Sequence, residues 1–266
     1  MSWPVGTNIR HLLVALALLS VALLSHIDTA SAAGDKGELS LATGMDFSSG
    51  DYGETTNTDI WYVPFTAKYE TDRTIFKFTV PYLRLTGPGA VVGDTVVGAS
   101  NDRRRTESGV GDVITSAFFN LLSGSGRAPL TDLGVKVKFG TADEDKGLGT
   151  GEEDLSLQLD VAERVGQFSL FGTVGYKWRG DPDEFELENG AYLSVGGGRK
   201  FRPKTSGGLI LDIKESGSPG RENVVELTAY IGWKVRKQIS LLGYAVVGFS
   251  DTSPDGGIGF QVNYRP

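Results

Sequence analysis

Residues 154–161 read DLSLQLDV. Leu155, Leu157, Leu159 and Val161 occupy one parity, and Asp154, Ser156, Gln158 and Asp160 the other. Strict alternation is the mark of an extended chain, because successive side chains of a strand point to opposite faces of a sheet. The same rule holds on either side. Leu133, Val135, Val137 and Phe139 alternate with Gly134, Lys136, Lys138 and Gly140. Phe168, Leu170, Val174, Tyr176 and Trp178 stand opposite Ser169, Thr173, Lys177 and Arg179. Val225, Leu227, Ala229, Ile231, Trp233 and Val235 face away from Glu226, Thr228 and Lys234, and Ile258, Phe260, Val262 and Tyr264 from Gly257, Gly259, Gln261 and Asn263.

Extending the alternation predicts about twelve strands: 38–47, 60–70, 74–84, 112–122, 132–140, 153–162, 167–179, 189–198, 207–214, 223–235, 239–249 and 257–265. No stretch after residue 34 sustains helical spacing. Most strands are near the length that crosses a bilayer when tilted. With a periplasmic N-terminus, inner turns fall near 71–73, 123–131, 163–166, 199–206 and 236–238. Outer loops then fall near 48–59, 85–111, 141–152, 180–188, 215–222 and 250–256, and are longer on average.

The N-terminus carries a different signal. A basic lead is followed by 13 apolar or small residues, Leu12–Leu24, and by Ala30-Ser31-Ala32-Ala33. That order is expected of a cleaved secretory signal over residues 1–33, and the run is too short for a membrane helix. The division predicted is therefore 1–33 as signal and 34–266 as one domain. The chain has 26 basic and 33 acidic residues, a net charge of -7, and no Cys. Both histidines, His11 and His26, lie inside the signal. A mature chain without His or Cys excludes Ser-His and Cys-His nucleophiles, His-ligated metals and disulfides. Its acidity disfavours nucleic acid as a partner.

Alternation also suits a soluble β-sandwich with its apolar face inward. Two features favour a membrane barrel with its apolar face outward. Trp61, Trp178 and Trp233 lie on the apolar parity near predicted strand ends, as do Tyr69, Tyr82, Tyr176 and Tyr264. Aromatic belts at the headgroup level need that placement. The opposite parity mixes Gly, Ser, Thr, Lys, Asp and Gln, which suits a wet lumen, and closure leaves no sheet edge in lipid. The fold class expected is all-β: a closed antiparallel up-and-down transmembrane barrel.

Local motifs add to this. Phe78-Thr79-Val80-Pro81-Tyr82-Leu83, Ser108-Gly109-Val110-Gly111-Asp112, Lys138-Phe139-Gly140-Thr141 and Gly149-Thr150-Gly151-Glu152-Glu153-Asp154 stand at turns and strand ends. Together with Gly175-Tyr176 and Ser253-Pro254-Asp255-Gly256-Gly257-Ile258-Gly259, they resemble a proteobacterial family of outer-membrane transporters of the phenol meta-degradation pathway. The resemblance spans most of 38–266. It implies an outer-membrane location and a channel or facilitator for passive uptake of small molecules, hydrophobic or aromatic ones among them. One departure is the C-terminus, Tyr264-Arg265-Pro266, where such barrels end in an aromatic residue read by the assembly machinery.

Parity nominates Lys77, Lys136, Lys138, Asp160, Lys177, Asp212 and Glu226 as lumen-lining residues, with Lys68, Arg179 and Lys234 beside them. Such charges either set ion preference or pair off and fill the lumen. Arg103, Arg104 and Arg105 lie in the loop 85–111, which reads as a solvated loop; the alternatives are an arginine cluster on lipopolysaccharide phosphate and a constriction folded into the pore. The acidic residues 143–145 and 152–154 lack the spacing of a calcium loop and read as solvated charge. Neither metal nor cofactor is expected. Expected partners are outer-membrane lipid and lipopolysaccharide, the barrel-assembly machinery, and a small solute. The alternatives are a structural barrel with a plugged lumen, a soluble periplasmic β protein, and a barrel enzyme, for which Asp154 with Asp160 is the weak carboxylate pair available.

Overall fold

The structure, a computed structural model, describes residues 37–92, 95–98, 104–124, 128–182 and 186–266. The signal segment 1–33 and Arg103 lie outside the described residues. Among the described residues fifteen strands follow one another: β1 (Glu38–Gly50), β2 (Thr58–Glu70), β3 (Thr74–Gly87), β4 (Gly89–Val92), β5 (Thr95–Gly98), β6 (Arg105–Val110), β7 (Val113–Ser123), β8 (Leu130–Phe139), β9 (Asp154–Val165), β10 (Phe168–Trp178), β11 (Gly190–Arg202), β12 (Thr205–Lys214), β13 (Val224–Lys234), β14 (Ile239–Gly248) and β15 (Gly256–Tyr264). Neighbours pair antiparallel, β2 pairs with β3, and β15 returns to β1. The result is a closed ring of twelve strands in which β6 continues the track of β7 along β3.

The predicted loop 85–111 is corrected by this arrangement. β3 runs on to Gly87, β4 and β5 form a separate hairpin, and β6 returns along β3 with Gly87 opposite Arg105 and Tyr82 opposite Val110. The outward residues Thr106 and Ser108 are polar and exposed, so this extension reads as standing above the lipid. The break between β6 and β7 has a local cause. Pro64 and Pro81 oppose each other, and neither has an N–H to donate. The β1–β2 register skips Gly44 and Met45 at the same level, while the Gly111 N–H reaches the Pro81 carbonyl at 2.9 Å.

The two ends of the barrel differ. One end is closed by short turns, among them 71–73, 166–167 and 203–204; the other carries the longer connections, including 140–153 and 179–189. The predicted inner connection 199–206 shrinks because β11 continues to Arg202 and β12 starts at Thr205. Below, "inner" denotes the short-turn end and "outer" the long-loop end, the polarity usual for outer-membrane barrels.

Large apolar side chains cover the outside of the ring, with Ile258 at 65 % exposure and Phe65, Val174 and Ile231 close behind. A water-soluble protein would bury such residues, whereas a bilayer solvates them. Trp61 stacks against Phe47 with ring centroids 4.8 Å apart, and Trp178 meets Tyr176 edge-on at 5.0 Å, both near the outer ends of their strands. Trp233, Tyr69 and Tyr264 lie near the inner ends. Two interfacial girdles thus bracket the apolar band.

The inward face is less uniformly polar than its sequence parity implied. Ala162, Phe171, Ile210, Tyr230 and Leu242 form a buried apolar cluster inside the barrel, mostly toward the inner end. Aromatic rings fit there because glycine stands beside them on the next strand. A Cβ at Gly175 would collide with the Tyr192 ring, and one at Gly196 with the Phe171 ring. Much of the glycine excess in the strands serves this close approach.

Candidate functional site in the barrel lumen

Register turns the parity pattern into rows. Lys68 opposes Lys77, Lys77 opposes Ser116, Ser116 opposes Lys136, Lys136 opposes Ser156, and Ser156 opposes Lys177. Six consecutive barrel strands therefore contribute one continuous line of lysine and serine. It starts two residues from the inner end of β2 and finishes one residue from the outer end of β10, so strand tilt carries it up the lumen wall. A second line joins Asn120, Asp132, Asp160, Thr173, Ser194, Asp212 and Glu226 in the same manner from β7 to β13. Between the two runs a neutral line, Phe118, Gly134, Gln158, Gly175 and Tyr192, which ends on Lys214. A basic ramp and an acidic ramp therefore climb the lumen side by side.

Most charges on these ramps are already engaged. Lys68 meets Glu70 at 2.9 Å, Lys177 meets Asp154 at 3.1 Å, and Lys214 meets Glu226 at 2.9 Å. Lys138, just off the basic ramp, pairs with Asp112. Asp160 accepts from Gln158 Nε2 at 2.7 Å and from the Thr173 hydroxyl at 2.5 Å. Asp212 accepts from the Ser194 hydroxyl. Buried carboxylates are tolerable when satisfied in this way, and removing one partner of such a pair costs about 3–5 kcal/mol.

Packing across the lumen is uneven. On the β8–β12 side, Lys136, Gln158, Asp160, Ser194 and Asp212 are buried, and Lys177 has 0 % exposure. On the opposite side, Ser40, Ala42, Thr66, Lys68, Lys77, Thr79, Gln261 and Asn263 are only half-buried. An off-axis, half-buried strip of mostly polar residues therefore runs along β15, β1, β2 and β3, while the other wall is filled.

The outer end of this strip is covered. The loop 140–153 folds inward and places Ala142 and Leu148, the latter 1 % exposed, against Tyr52, Ile60, Tyr62, Leu83 and Leu85. Asp112 holds the start of the loop by accepting the N–H groups of Thr141 and Ala142 at 3.0 and 2.9 Å. Gly147, with φ of 67°, makes the turn that brings Leu148 back. Burial in this cap pushes the Tyr52 phenol up to about 12, so the ring stays neutral and its hydroxyl donates to Ser48 at 3.3 Å. Outside the cap, Arg221 ties two other outer loops together through Glu54 at 2.5 Å and the Gly53 carbonyl at 2.8 Å.

The nominated residues divide as follows. Lys77, Lys136, Lys138, Asp160, Lys177, Asp212 and Glu226 all lie on the lumen face, with Lys77 and Glu226 half-buried. Arg179 sits at the outer rim with its guanidinium on the Glu188 carbonyl at 2.6 Å, and Lys234 is exposed at the inner end of β13. Asp154 and Asp160 are six residues apart on one strand, about 20 Å, and make no carboxylate pair. Asp154 also leaves the acidic loop for the lumen, where Lys177 meets it. Arg104 is paired with Asp59 at 2.5 Å, and Arg105 belongs to β6 rather than to a solvated loop. Sequence parity missed Asp112, Asp132, Lys214 and the two cap residues Ala142 and Leu148. Asp112 carried a signal, the break Gly111-Asp112 ahead of an alternating run; Leu148, inside an acidic Gly-rich loop, carried none.

Solved structures share this architecture. An outer membrane channel from Pseudomonas putida F1 is 16 % identical with a TM-score of 0.66, over 90 % of this chain and 98 % of its own. The NanC porin is 7 % identical with a TM-score of 0.56, over 86 % and 100 %. The translocator domain of the autotransporter NalP from Neisseria meningitidis is 11 % identical with a TM-score of 0.54, over 94 % of each chain. These likenesses establish the twelve-stranded fold and leave function open, since channel, porin and translocator share it. No curated protein matches the sequence. The sequence profile of one family does match, over residues 45–265, nearly the whole barrel, and the chain belongs to that family, described as "Putative MetA-pathway of phenol degradation".

Proposed function

We propose that this protein is a passive outer-membrane channel for small molecules, exported by its N-terminal segment and closed at rest by the loop 140–153. The observation that carries the reading is the half-buried polar strip along β15, β1, β2 and β3, which leads up to the apolar cap. A barrel built only to be a plug would fill both walls, as this one fills β8–β12. Small hydroxyls and amides on the strip replace solute hydration without holding the solute tightly, which is what conduction requires. The family description and the channel-type neighbours agree with passage of small, including aromatic, solutes.

Swelling of proteoliposomes tests this. Vesicles holding refolded protein are expected to swell in isosmotic benzoate faster than protein-free vesicles, and more slowly in a disaccharide. Equal rates with and without protein would contradict the channel. A second reading, a structural barrel with a plugged lumen, is favoured by one observation, the closed outer mouth. It predicts no swelling even after the cap is removed.

A further inference from the structure

Two lysines on the basic ramp differ from the other lumen-facing lysines. Lys68, Lys138, Lys177 and Lys214 each have a carboxylate partner. Among the described residues, Lys77 and Lys136 have neither ion pair nor hydrogen bond, although Lys136 is only 3 % exposed. Each ammonium is held instead near an aromatic ring: Lys77 lies 5.0 Å from the Phe118 centroid and Lys136 5.8 Å from that of Tyr192. Such contacts orient a cation without neutralising it. The nearest acid on the neighbouring ramp, Asp160, already accepts from Gln158 and Thr173. Ser116 stands in register between the two lysines and adds a hydroxyl donor.

From this arrangement we infer that Lys77, Ser116 and Lys136 form an anion-binding station in the lumen, which holds the carboxylate of a small organic acid as it passes. Asp160 attracts both ammonium groups through space without a direct ion pair, and an incoming carboxylate supplies the contact partner that the other lysines already have. The chemistry favours a single, compact negative charge. Two lysine point charges and one hydroxyl offer no guanidinium fork of the kind that selects phosphate. Lys77 adjoins the half-buried strip, so the station is reached from the accessible side of the lumen, and Lys136 lies farther round the same ramp toward the packed wall.

The inference rests on the channel reading for its biological sense, but its test does not depend on conduction. The full chain, refolded in detergent micelles, is dialysed to equilibrium against radiolabelled benzoate. Saturable binding of one benzoate per chain is expected, with neutral phenol a poor competitor. Loss of one charge-assisted hydrogen bond should weaken binding roughly tenfold in Lys77→Gln and in Lys136→Gln. Lys77→Arg and Lys136→Arg should retain it, and Lys237→Gln, exposed in the short turn between β13 and β14, should not alter it. Heat-modifiable gel migration confirms that each variant is folded before dialysis. Benzoate binding unchanged in both glutamine variants, or displaced equally well by phenol, overturns the station. Binding without vesicle swelling removes the channel reading and leaves the station; swelling without binding does the reverse.

Discussion

At the scale of single residues, charge in the lumen is organised by what each group can reach. Asp160 accepts from neutral donors, Gln158 on its own strand and Thr173 on the next, and Asp212 takes one from Ser194, so neither forms a direct ion pair with the lysines two rows away. Sequence parity put these residues on one face because a strand's period of two fixes that grouping, and the aromatic belts made that face the inward one. It did not reveal which lysines pair, because pairing depends on register between strands far apart in the chain. The aromatic–glycine packing was hidden for the same reason: Gly175 and Tyr192 meet only once β10 and β11 are aligned. That contact makes a specific prediction. Gly175→Ala drives a methyl into the Tyr192 ring, whose hydroxyl donates to Gln158 at 3.1 Å. The variant should lose about 1–3 kcal/mol, as overpacked interiors do, read as a lower urea midpoint for unfolding in micelles. An unchanged midpoint would mean that the ring moves aside freely.

At the scale of elements, the twelve membrane strands were legible within a few residues, since alternation and flanking turns mark each of them. The segment 85–111 was not. β4 and β5 sit within the Gly-rich run GPGAVVGDTVVG, and β6 reads Arg-Thr-Glu-Ser-Gly-Val, polar on both faces above the bilayer. Nor does the acidic composition of 140–153 disclose that Leu148 turns inward. What fixes that loop is Asp112, which accepts two of its backbone N–H groups and pairs with the buried Lys138. Asp112→Ala should therefore release the cap while the barrel stays closed. Brief protease treatment is expected to cut near the exposed Lys146 faster in the folded variant than in the parent protein, whose loop is held at both ends. Equal resistance in both would show that the apolar contacts of Ala142 and Leu148 hold the loop unaided.

At the scale of the whole molecule, an apolar exterior, a closed ring and a lumen with one filled wall and one half-buried wall are the features on which the proposed gated conduit rests. The exterior places the protein in a bilayer. Closure satisfies the strand edges that lipid could not. The polar residues of one wall are only half-buried, and the cap covers its outer end. The most direct measurement is single-channel conductance in planar bilayers, comparing the full-length barrel with a variant whose residues 142–149 are replaced by a short Gly-Ser linker. The cap-replaced variant should show steady openings several-fold larger than the brief, small openings of the parent, as expected when a constriction is removed. Identical currents from the two proteins, or silence from both, would contradict a channel closed by its outer cap.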